Sequence, residues 1–442
     1  MTLLGAALTT VSALLFLILF FLDSFGLLRN PYIGLLAYIA LPVIFVFGLL
    51  LIPIGRWRSR RRRGRGEAGE WPRIDLNRRR TRWTVATIAL ATGLNVVIVS
   101  LASYGAVEYM DTPQFCGAVC HTVMHPEYTA YQDGPHARVA CVDCHVGNSA
   151  TSFAHAKLTG VRQLAHVISN RYPRPIPEPA RTLRPARETC EQCHWPEKLH
   201  GDKTRKIYEY AEDETNTESV TTLQVHVGGG SERLGIATGI HWHMNVANEV
   251  EYIATDSKRQ TIPWVRIKDR FGAVREYAVD GVTSDQLAKG ERRQMDCMDC
   301  HNRPSHQISM TPERALNETI ASGAISKMLP FIRREALKPL KAMYQSENAA
   351  SEAIARSLTD FYRMQRPDVF TSRRQEVEQA VRATTALYRR NVFPEMNVRF
   401  GTYTNNIGHI DSPGCFRCHD DDHKTKDGMK IGQDCETCHH IE

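Results

Sequence analysis

Six short cysteine clusters constrain this chain more than any other feature of its sequence. All twelve cysteines fall in close pairs, and a histidine directly follows the second cysteine of every pair. Five clusters have the spacing C-x-x-C-H, and the first has one additional residue between its cysteines. The pairs are Cys116/Cys120, Cys141/Cys144, Cys190/Cys193, Cys297/Cys300, Cys415/Cys418 and Cys435/Cys438, followed by His121, His145, His194, His301, His419 and His439.

The C-x-x-C-H spacing is the attachment signature of c-type haem. Two thiols at this spacing can bond to the two vinyl groups of one porphyrin, and the adjacent histidine then reaches the iron from one face. Structural zinc sites and disulfides are alternatives, but neither requires a histidine after every second cysteine. The sequence therefore predicts six covalent haems, five at C-x-x-C-H and one at C-x-x-x-C-H. A protein with five haems, in which the wider first cluster is not used, is the alternative.

Three apolar runs precede the clusters, at residues 3–22, 32–54 and 83–104. Each has about the 20 residues that a helix needs to cross a bilayer. We therefore expect a transmembrane hairpin over 1–55 and a third transmembrane helix over 83–110. A cleaved signal peptide is the alternative for the first run, but that run lacks a basic beginning and a small-residue cleavage site before Asp23.

The segment 56–82 holds twelve arginines against Glu67, Glu70 and Asp75. An excess of arginine in a short loop marks the cytoplasmic side of a membrane. The N-terminus is then also cytoplasmic, and all six clusters lie on the periplasmic or extracytoplasmic side of a bacterial inner membrane. The net positive charge of this segment exceeds the formal net charge of +7 of the whole chain. The remaining residues are therefore close to neutral in sum, and no nucleic-acid partner is indicated.

The pattern beyond the third span predicts a mainly α, membrane-anchored protein with a small β insertion. Residues 111–205 should be helices and loops around the first three haems. Alternating apolar residues over 206–290 predict a β-rich insertion. Residues 291–442 should form a C-terminal domain with haems four to six, helical between 311 and 390, with Thr311 as the first helix cap.

Twelve histidines remain outside the clusters, enough to give every iron a second ligand. Two strong-field ligands close both faces of a haem iron, so such a haem moves electrons and does not bind substrate. The histidines His155 and His166, on a helix predicted over 153–172, are reserve candidates. The preferred distal ligands are His136, His200, His243, His306, His409 and His423.

The third apolar run is followed, in this order, by Phe115, Cys116, Cys120, His121, Met124, His136, Cys141, Asp143, Cys144, His145 and Val146. With these residues, the stretch 83–200 resembles the NapC/NirT/NrfH family of membrane-anchored multihaem quinol dehydrogenases. The family pattern is a transmembrane helix, a first F-C-x-x-C-H with a nearby methionine, and a histidine shortly before C-x-D-C-H-V. The chain departs from it in the wider first spacing and in Met124, which follows His121 by three positions. The longer C-terminal part resembles the larger inner-membrane members.

The resemblance implies that menaquinol, or another quinol from the quinone pool, is oxidised at the first haem on the outer membrane surface. Met124 or His121 would bind that iron, and Lys157 matches a lysine that lines the family's quinol pocket. Asp111 and Asp133 are candidate proton acceptors. Electrons would leave to a periplasmic or outer-membrane cytochrome or to a terminal reductase.

Two other functions stay open. A catalytic multihaem reductase of nitrite or hydroxylamine needs an open iron face, which a cluster ending in lysine or a shortage of histidine would indicate, and the sequence has neither. A passive membrane-anchored relay, fed by a soluble donor, needs no quinol pocket.

Overall fold

The computed structural model describes residues 1–24, 33, 36–63, 75–119, 121–147, 150–179, 184–195, 201–228, 239–244, 248–269 and 271–442. Within these ranges the chain forms two compact units. The first comprises Met1–His121 with Ala140–Val142, and the second comprises Thr122–Val139 with Asp143–Glu442. The finer division into six segments stays a prediction.

Three long helices make up most of the first unit: α1 (Thr2–Ser24), α2 (Leu41–Arg63) and α3 (Arg79–Met110), with a short π-helix at Leu36–Ala40 before α2. The stretches Thr2–Leu22, Leu36–Ser59 and Arg79–Met110 are long and apolar enough to cross a membrane. The three predicted spans are thus confirmed. The arginine-rich segment is partly helical rather than all loop, because α2 continues to Arg63 and α3 begins at Arg79.

Helices α1 and α2 approach closely at Gly5 and Gly48. A Cβ atom on Gly5 would lie 2.7 Å from the carbonyl oxygen of Gly48, and one on Gly48 would lie 2.9 Å from the backbone nitrogen of Thr9. Small residues let helix backbones touch in lipid, where apolar burial gives no driving force of its own. Aromatic rings fill the adjacent space, with Phe16 and Tyr38 edge to face at 6.3 Å.

The second unit begins with most of α4 (His121–Gln132), the part of α5 (Cys141–His145) from Asp143 onward, α6 (Ala150–Ile168) and α7 (Ala186–Cys190). Helix α6 confirms the helix predicted near residue 153. Its apolar side chains are not buried in protein, since Leu158, Val161 and Ile168 are 74%, 69% and 78% exposed.

Two sheets follow in the second unit. The four-stranded sheet has the order β5-β4-β3-β6, from β3 (Glu249–Ala254), β4 (Trp264–Lys268), β5 (Val274–Ala278) and β6 (Glu291–Gln294). This sheet confirms the predicted β insertion. The other sheet was not predicted in this form, because β1 (Asp202–Tyr210) and β2 (Glu218–His226) are joined by β7 (His439–Ile441) from the end of the chain.

The rest of the second unit is mainly helical. Two of its helices are short, α8 (Ser284–Lys289) and α9 (Cys297–Cys300). The Thr311 hydroxyl accepts from the backbone N–H of Arg314 at 3.3 Å, so Thr311 caps the next helix as predicted. The last of these helices is not wholly exposed, because it buries Val377, Ala380 and Tyr388. The helices are α10 (Pro312–Ala321), α11 (Ile332–Lys341), α12 (Glu347–Gln365), α13 (Pro367–Ser372) and α14 (Arg374–Asn391).

Candidate haem-binding sites

Clusters two to six each begin on or at the end of a short helical turn. These turns are Cys141–His145, Ala186–Cys190, Cys297–Cys300, Gly414–Arg417 and Cys435–Thr437. Residues three apart share one face of a helical turn, so both cysteines of a cluster can face the same side. In three clusters the histidine N–H closes the turn on the carbonyl of the first cysteine, at 2.8 Å for His194 and His301 and 3.0 Å for His419.

Cys193, the predicted second attachment residue of the third haem, lies beyond the helix of its cluster. Helix α7 ends at Cys190, and the Cys193 N–H donates to the Cys190 carbonyl at 3.1 Å in the turn that follows. The Cys193 side chain is exposed, as is that of Cys435 in cluster six. The turn 192–195 lies at the surface of the described residues, and the expectation that residues 111–205 surround the third haem stays a prediction. An accessible thiol can still bond to a porphyrin vinyl group, so attachment at Cys193 stays a prediction.

The first cluster continues from the end of α3. The Cys116 N–H donates to the Thr112 carbonyl at 3.3 Å, and the ring of Phe115 packs edge to face on Tyr109 at 5.4 Å. Residues Phe115–Val119 form a π-helix, whose turn holds one more residue than an α-helical turn. This wider turn suits the additional residue of the cluster. Cys120 and the His121 side chain lie outside the described residues, so haem ligation at this cluster stays a prediction.

Five cluster histidines each face a second histidine ring. The ring centroids are 6.2 Å apart for His145 and His306, 6.0 Å for His194 and His136, 6.4 Å for His301 and His241, 5.9 Å for His419 and His243, and 6.1 Å for His439 and His409. Every pair joins one cluster histidine to one histidine from outside the clusters.

These separations fit two imidazoles on opposite faces of one iron. A ligating imidazole nitrogen lies about 2 Å from the metal and about 1.2 Å from its own ring centre, so two opposed rings have centres roughly 6 Å apart. All five observed separations are close to this value. The residues present at clusters two to six therefore fit a haem with two histidine ligands.

Backbone carbonyls fix the tautomer of four of the five second histidines. The Nδ1 atoms of His306, His241 and His243 lie 2.9, 2.9 and 2.8 Å from carbonyl oxygens. The Nδ1 atom of His136 lies 3.2 Å from the Pro304 carbonyl. A carbonyl only accepts, so Nδ1 carries the proton and Nε2 keeps the lone pair that a metal needs. Burial also lowers the pKa of His243, which favours the neutral ring.

The structure places some of the predicted distal ligands beside a cluster histidine, but not all of them. His136, His243, His306 and His409 each face a cluster histidine. His200 lies outside the described residues, and the reserve residues His155 and His166 are exposed on α6. His241 faces His301 and was not among the preferred ligands. The available signal was the His-Trp-His sequence, in which two histidines flank one residue.

The structure contradicts the prediction that His423 is a distal ligand. Its side chain is 1% exposed, and both ring nitrogens have protein partners. Nδ1 lies 2.9 Å from a carboxylate oxygen of Asp420, and Nε2 lies 2.7 Å from the carbonyl oxygen of Ile262. His423 therefore connects the C-terminal loop to the four-stranded sheet and has no nitrogen left for an iron.

Clusters three, four and five adjoin one another. The Cys190 thiol donates to Cys297, and this contact lowers the pKa of Cys297. Burial, with Cys415 nearby, raises the pKa of Cys300 to about 12. None of the eight cysteines from Cys190 onward is joined to another by a disulfide.

The residues predicted to form the quinol site are divided between the two units. Asp111 follows α3 in the first unit, where it caps the helix C-terminus. In the second unit, Met124 is half-buried on α4, and the Lys157 ammonium lies 4.9 Å from the ring centre of Phe153 on α6. Asp133 lies 3.7 Å from the guanidinium of Arg390. The quinol site itself stays a prediction.

Comparison with known proteins gives two matches. Residues 78–175 match the model of the NapC/NirT cytochrome c family, N-terminal region. The chain is 42% identical over 446 residues to "Cytochrome c-type protein ImcH" of Geobacter sulfurreducens, an alignment that covers 100% of this chain and 87% of that protein. No solved structure matches the chain. The family match includes α3 and the first two clusters, whereas the other four clusters lie beyond it.

Proposed function

The chain belongs to the NapC/NirT cytochrome c family, and from that premise we propose that it oxidises menaquinol at the outer membrane surface and passes the electrons along six c-type haems. At a coarser level it is a membrane-anchored c-type cytochrome of electron transport. One observation carries the proposal: the ring of each of five cluster histidines lies 5.9–6.4 Å from the ring of a histidine outside the clusters.

The haems of clusters two to six would each be held by two thiols and two imidazoles. A bound haem supplies an iron that takes up and gives away one electron at a time. The second imidazoles are His306, His136, His241, His243 and His409, in the order of the clusters. The protein's part is to fix these rings, and the carbonyl bonds to Nδ1 do so for the first four.

This ligand set favours electron transfer over the alternative of a catalytic reductase. Reduction of nitrite or hydroxylamine requires an iron with an open coordination position for the substrate. At clusters two to six a second histidine ring lies 5.9–6.4 Å from the ring of the cluster histidine and would take that position on a bound haem. Only the first cluster, whose second ligand is not described, could leave such a position.

Quinol would enter at the first cluster, because Cys116 follows the third membrane-spanning helix after only a few residues. Oxidation of a quinol releases two electrons and two protons, so the site needs bases and a group that orients the hydroxyls. Lys157 and Asp111 would serve these roles. Lys157 lies on α6, whose exposed apolar side chains, including Leu158 and Val161, suit a helix at a bilayer surface.

The orientation follows from the arginines on either side of the gap between α2 and α3. Arg63 ends α2 and Arg79 begins α3, so both helices carry their positive charge at the ends that this segment connects. This charge supports an orientation in which the segment stays in the cytoplasm and the clusters lie outside. The acceptor would be a periplasmic or outer-membrane cytochrome or a terminal reductase.

The test uses the full-length protein, matured with its haems and reconstituted in liposomes. A menaquinol analogue should reduce the haems, as followed by their absorbance, and the protein should not reduce nitrite or hydroxylamine at an appreciable rate. Haem reduction by dithionite without any reduction by quinol would favour the passive relay. Turnover of nitrite or hydroxylamine would favour the catalytic reductase.

A further inference from the structure

One short 3₁₀ turn, Ile240–Met244, presents two histidines to two different clusters. The ring of His241 lies parallel to that of His301, the histidine of cluster four, with centroids 6.4 Å apart. The ring of His243, two residues later, lies 5.9 Å from that of His419 in cluster five. Both clusters lie outside the stretch 78–175 that the family model matches.

Both histidines have the same free nitrogen. The Nδ1 atom of His241 donates to the carbonyl of Val227 at 2.9 Å, and that of His243 donates to the carbonyl of Ile240 at 2.8 Å. Nε2 of each ring is therefore the nitrogen with an available lone pair.

The turn between the two histidines is fixed by its surroundings. The His241 N–H donates to the Val227 carbonyl at 3.1 Å, and Asn248 donates to the Trp242 carbonyl at 3.1 Å. The Trp242 side chain packs against the buried cluster of the four-stranded sheet, which includes Val250 and Tyr252. The sheet thus holds both histidines through one tryptophan.

Clusters four and five are also joined to each other directly. Arg417, inside C-F-R-C-H, is 9% exposed and donates from Nη2 at 2.6 Å to the carbonyl of Asp299, inside C-M-D-C-H. Asn406 donates to the same carbonyl at 3.1 Å. The two attachment turns and the shared histidine turn therefore form one connected structure.

We propose that the turn Ile240–Met244 makes the fourth and fifth haems a single structural pair, because its histidines His241 and His243 would be the distal ligands of both irons. This inference rests on the proposed function, because it requires that clusters four and five carry haem. The predicted β insertion, which includes the expected ligand His243, would then supply the second ligand of two haems rather than one.

The test compares His241→Ala, His243→Ala and the double variant in the full-length protein with its haems, with His226→Ala as the matched control. His226 lies in the same region of the chain, and its Nδ1 is 3.0 Å from Asp202. Covalent haem is measured by intact mass, spin state by absorbance, and open iron positions by carbon monoxide binding to the reduced protein. We expect one new high-spin, carbon-monoxide-binding haem in each single variant, two in the double variant and none in the control.

Added imidazole should restore the low-spin spectrum of the alanine variants, because it can replace the lost ligand, whereas a purely structural role would not allow this. If an alanine variant loses a haem, His243→Met decides: a methionine ligand should keep the haem low-spin and raise its potential. Full haem content with an unchanged spin state in both single variants would overturn the inference. So would one affected haem shared by both variants. Absence of haem from clusters four and five in the unmodified protein would instead overturn the proposed function.

Discussion

His409 and Phe416 stack face to face, with ring centroids 4.1 Å apart and ring planes 17° apart. Phe416 lies inside cluster five, whereas His409 faces His439 of cluster six. The N–H of Cys415 also donates to the carbonyl of Gly408 at 3.2 Å, next to His409. The histidine that we assign to the sixth haem is thus positioned by the attachment turn of the fifth.

Replacing Phe416 by alanine should therefore affect the sixth haem, although Phe416 belongs to the fifth cluster. The stacking contact stabilises the ring by about 0.5–1.5 kcal/mol, so its loss should raise the fraction of high-spin iron without loss of covalent haem. Absorbance and carbon monoxide binding measure this fraction. Phe271→Ala, at an exposed phenylalanine of the second unit, is the control. Equal spectra of the two variants would contradict a positioning role for Phe416.

The two histidines that flank cluster five should respond differently to replacement. His409→Ala should convert one haem to high spin, with unchanged covalent haem content. His423→Ala should leave all spin states unchanged, but lose about 1–3 kcal/mol of stability because the Ile262 carbonyl and Asp420 lose their buried partner. Absorbance and thermal unfolding separate the two effects. A new high-spin haem in His423→Ala would restore His423 to the ligand set.

A tyrosine of the four-stranded sheet should stabilise the fold around cluster four. The hydroxyl of Tyr252, on β3, donates to the carboxylate of Asp299, which is 4% exposed. Tyr252→Phe should lower the free energy of unfolding by about 1–3 kcal/mol, because a buried carboxylate loses a donor. The matched control is Tyr277→Phe on β5, whose hydroxyl reaches only the sulfur of Met429, at 3.6 Å. Equal losses in the two variants would show that the contact with Asp299 has no special weight.

The cysteine spacing predicts the attachment sites without any tertiary information, because both cysteines and the histidine of a cluster lie close together in the sequence. Attachment itself stays a prediction. The partners of those histidines could not be predicted from spacing. His243 and His419 meet only because the β3–β6 sheet and the C-terminal loop fold together, so their separation in the sequence carries no signal. His423 was predicted as a ligand because it flanks the fifth cluster in the sequence, but Asp420 and Ile262 take both of its ring nitrogens.

The sheets were predicted only in part for a related reason. Alternation of apolar and polar residues in β3 and β4 indicates strands that have one buried face, and Tyr252 and Val265 are indeed buried. Strand β1 is mostly exposed and β2 is exposed or half-buried along its whole length, so neither strand shows that pattern. Strand β7 has three residues, too few for any period, and pairs with β2 only in the tertiary fold.

Topology can be tested with reporter fusions that are active only outside the cytoplasm. A fusion at Gly66 should be inactive and one at Glu442 should be active, because the arginines keep the segment between the second and third spans inside. A fusion at the N-terminus should also be inactive. An active Gly66 fusion with an inactive Glu442 fusion would show the opposite orientation. The clusters would then lie in the cytoplasm, where c-type haem is not attached.

Electron entry at the first cluster leads to the last prediction. Met124→Ala and Lys157→Ala should slow haem reduction by a menaquinol analogue by about tenfold or more, because loss of a group that binds or orients a proton-releasing substrate slows the step. Reduction by dithionite should be unchanged, since it requires no quinol site. Exposed residues of the same types give the controls Met343→Ala and Lys289→Ala. If both variants accept electrons from quinol at the rate of their controls, electrons enter elsewhere and the passive relay becomes the better description.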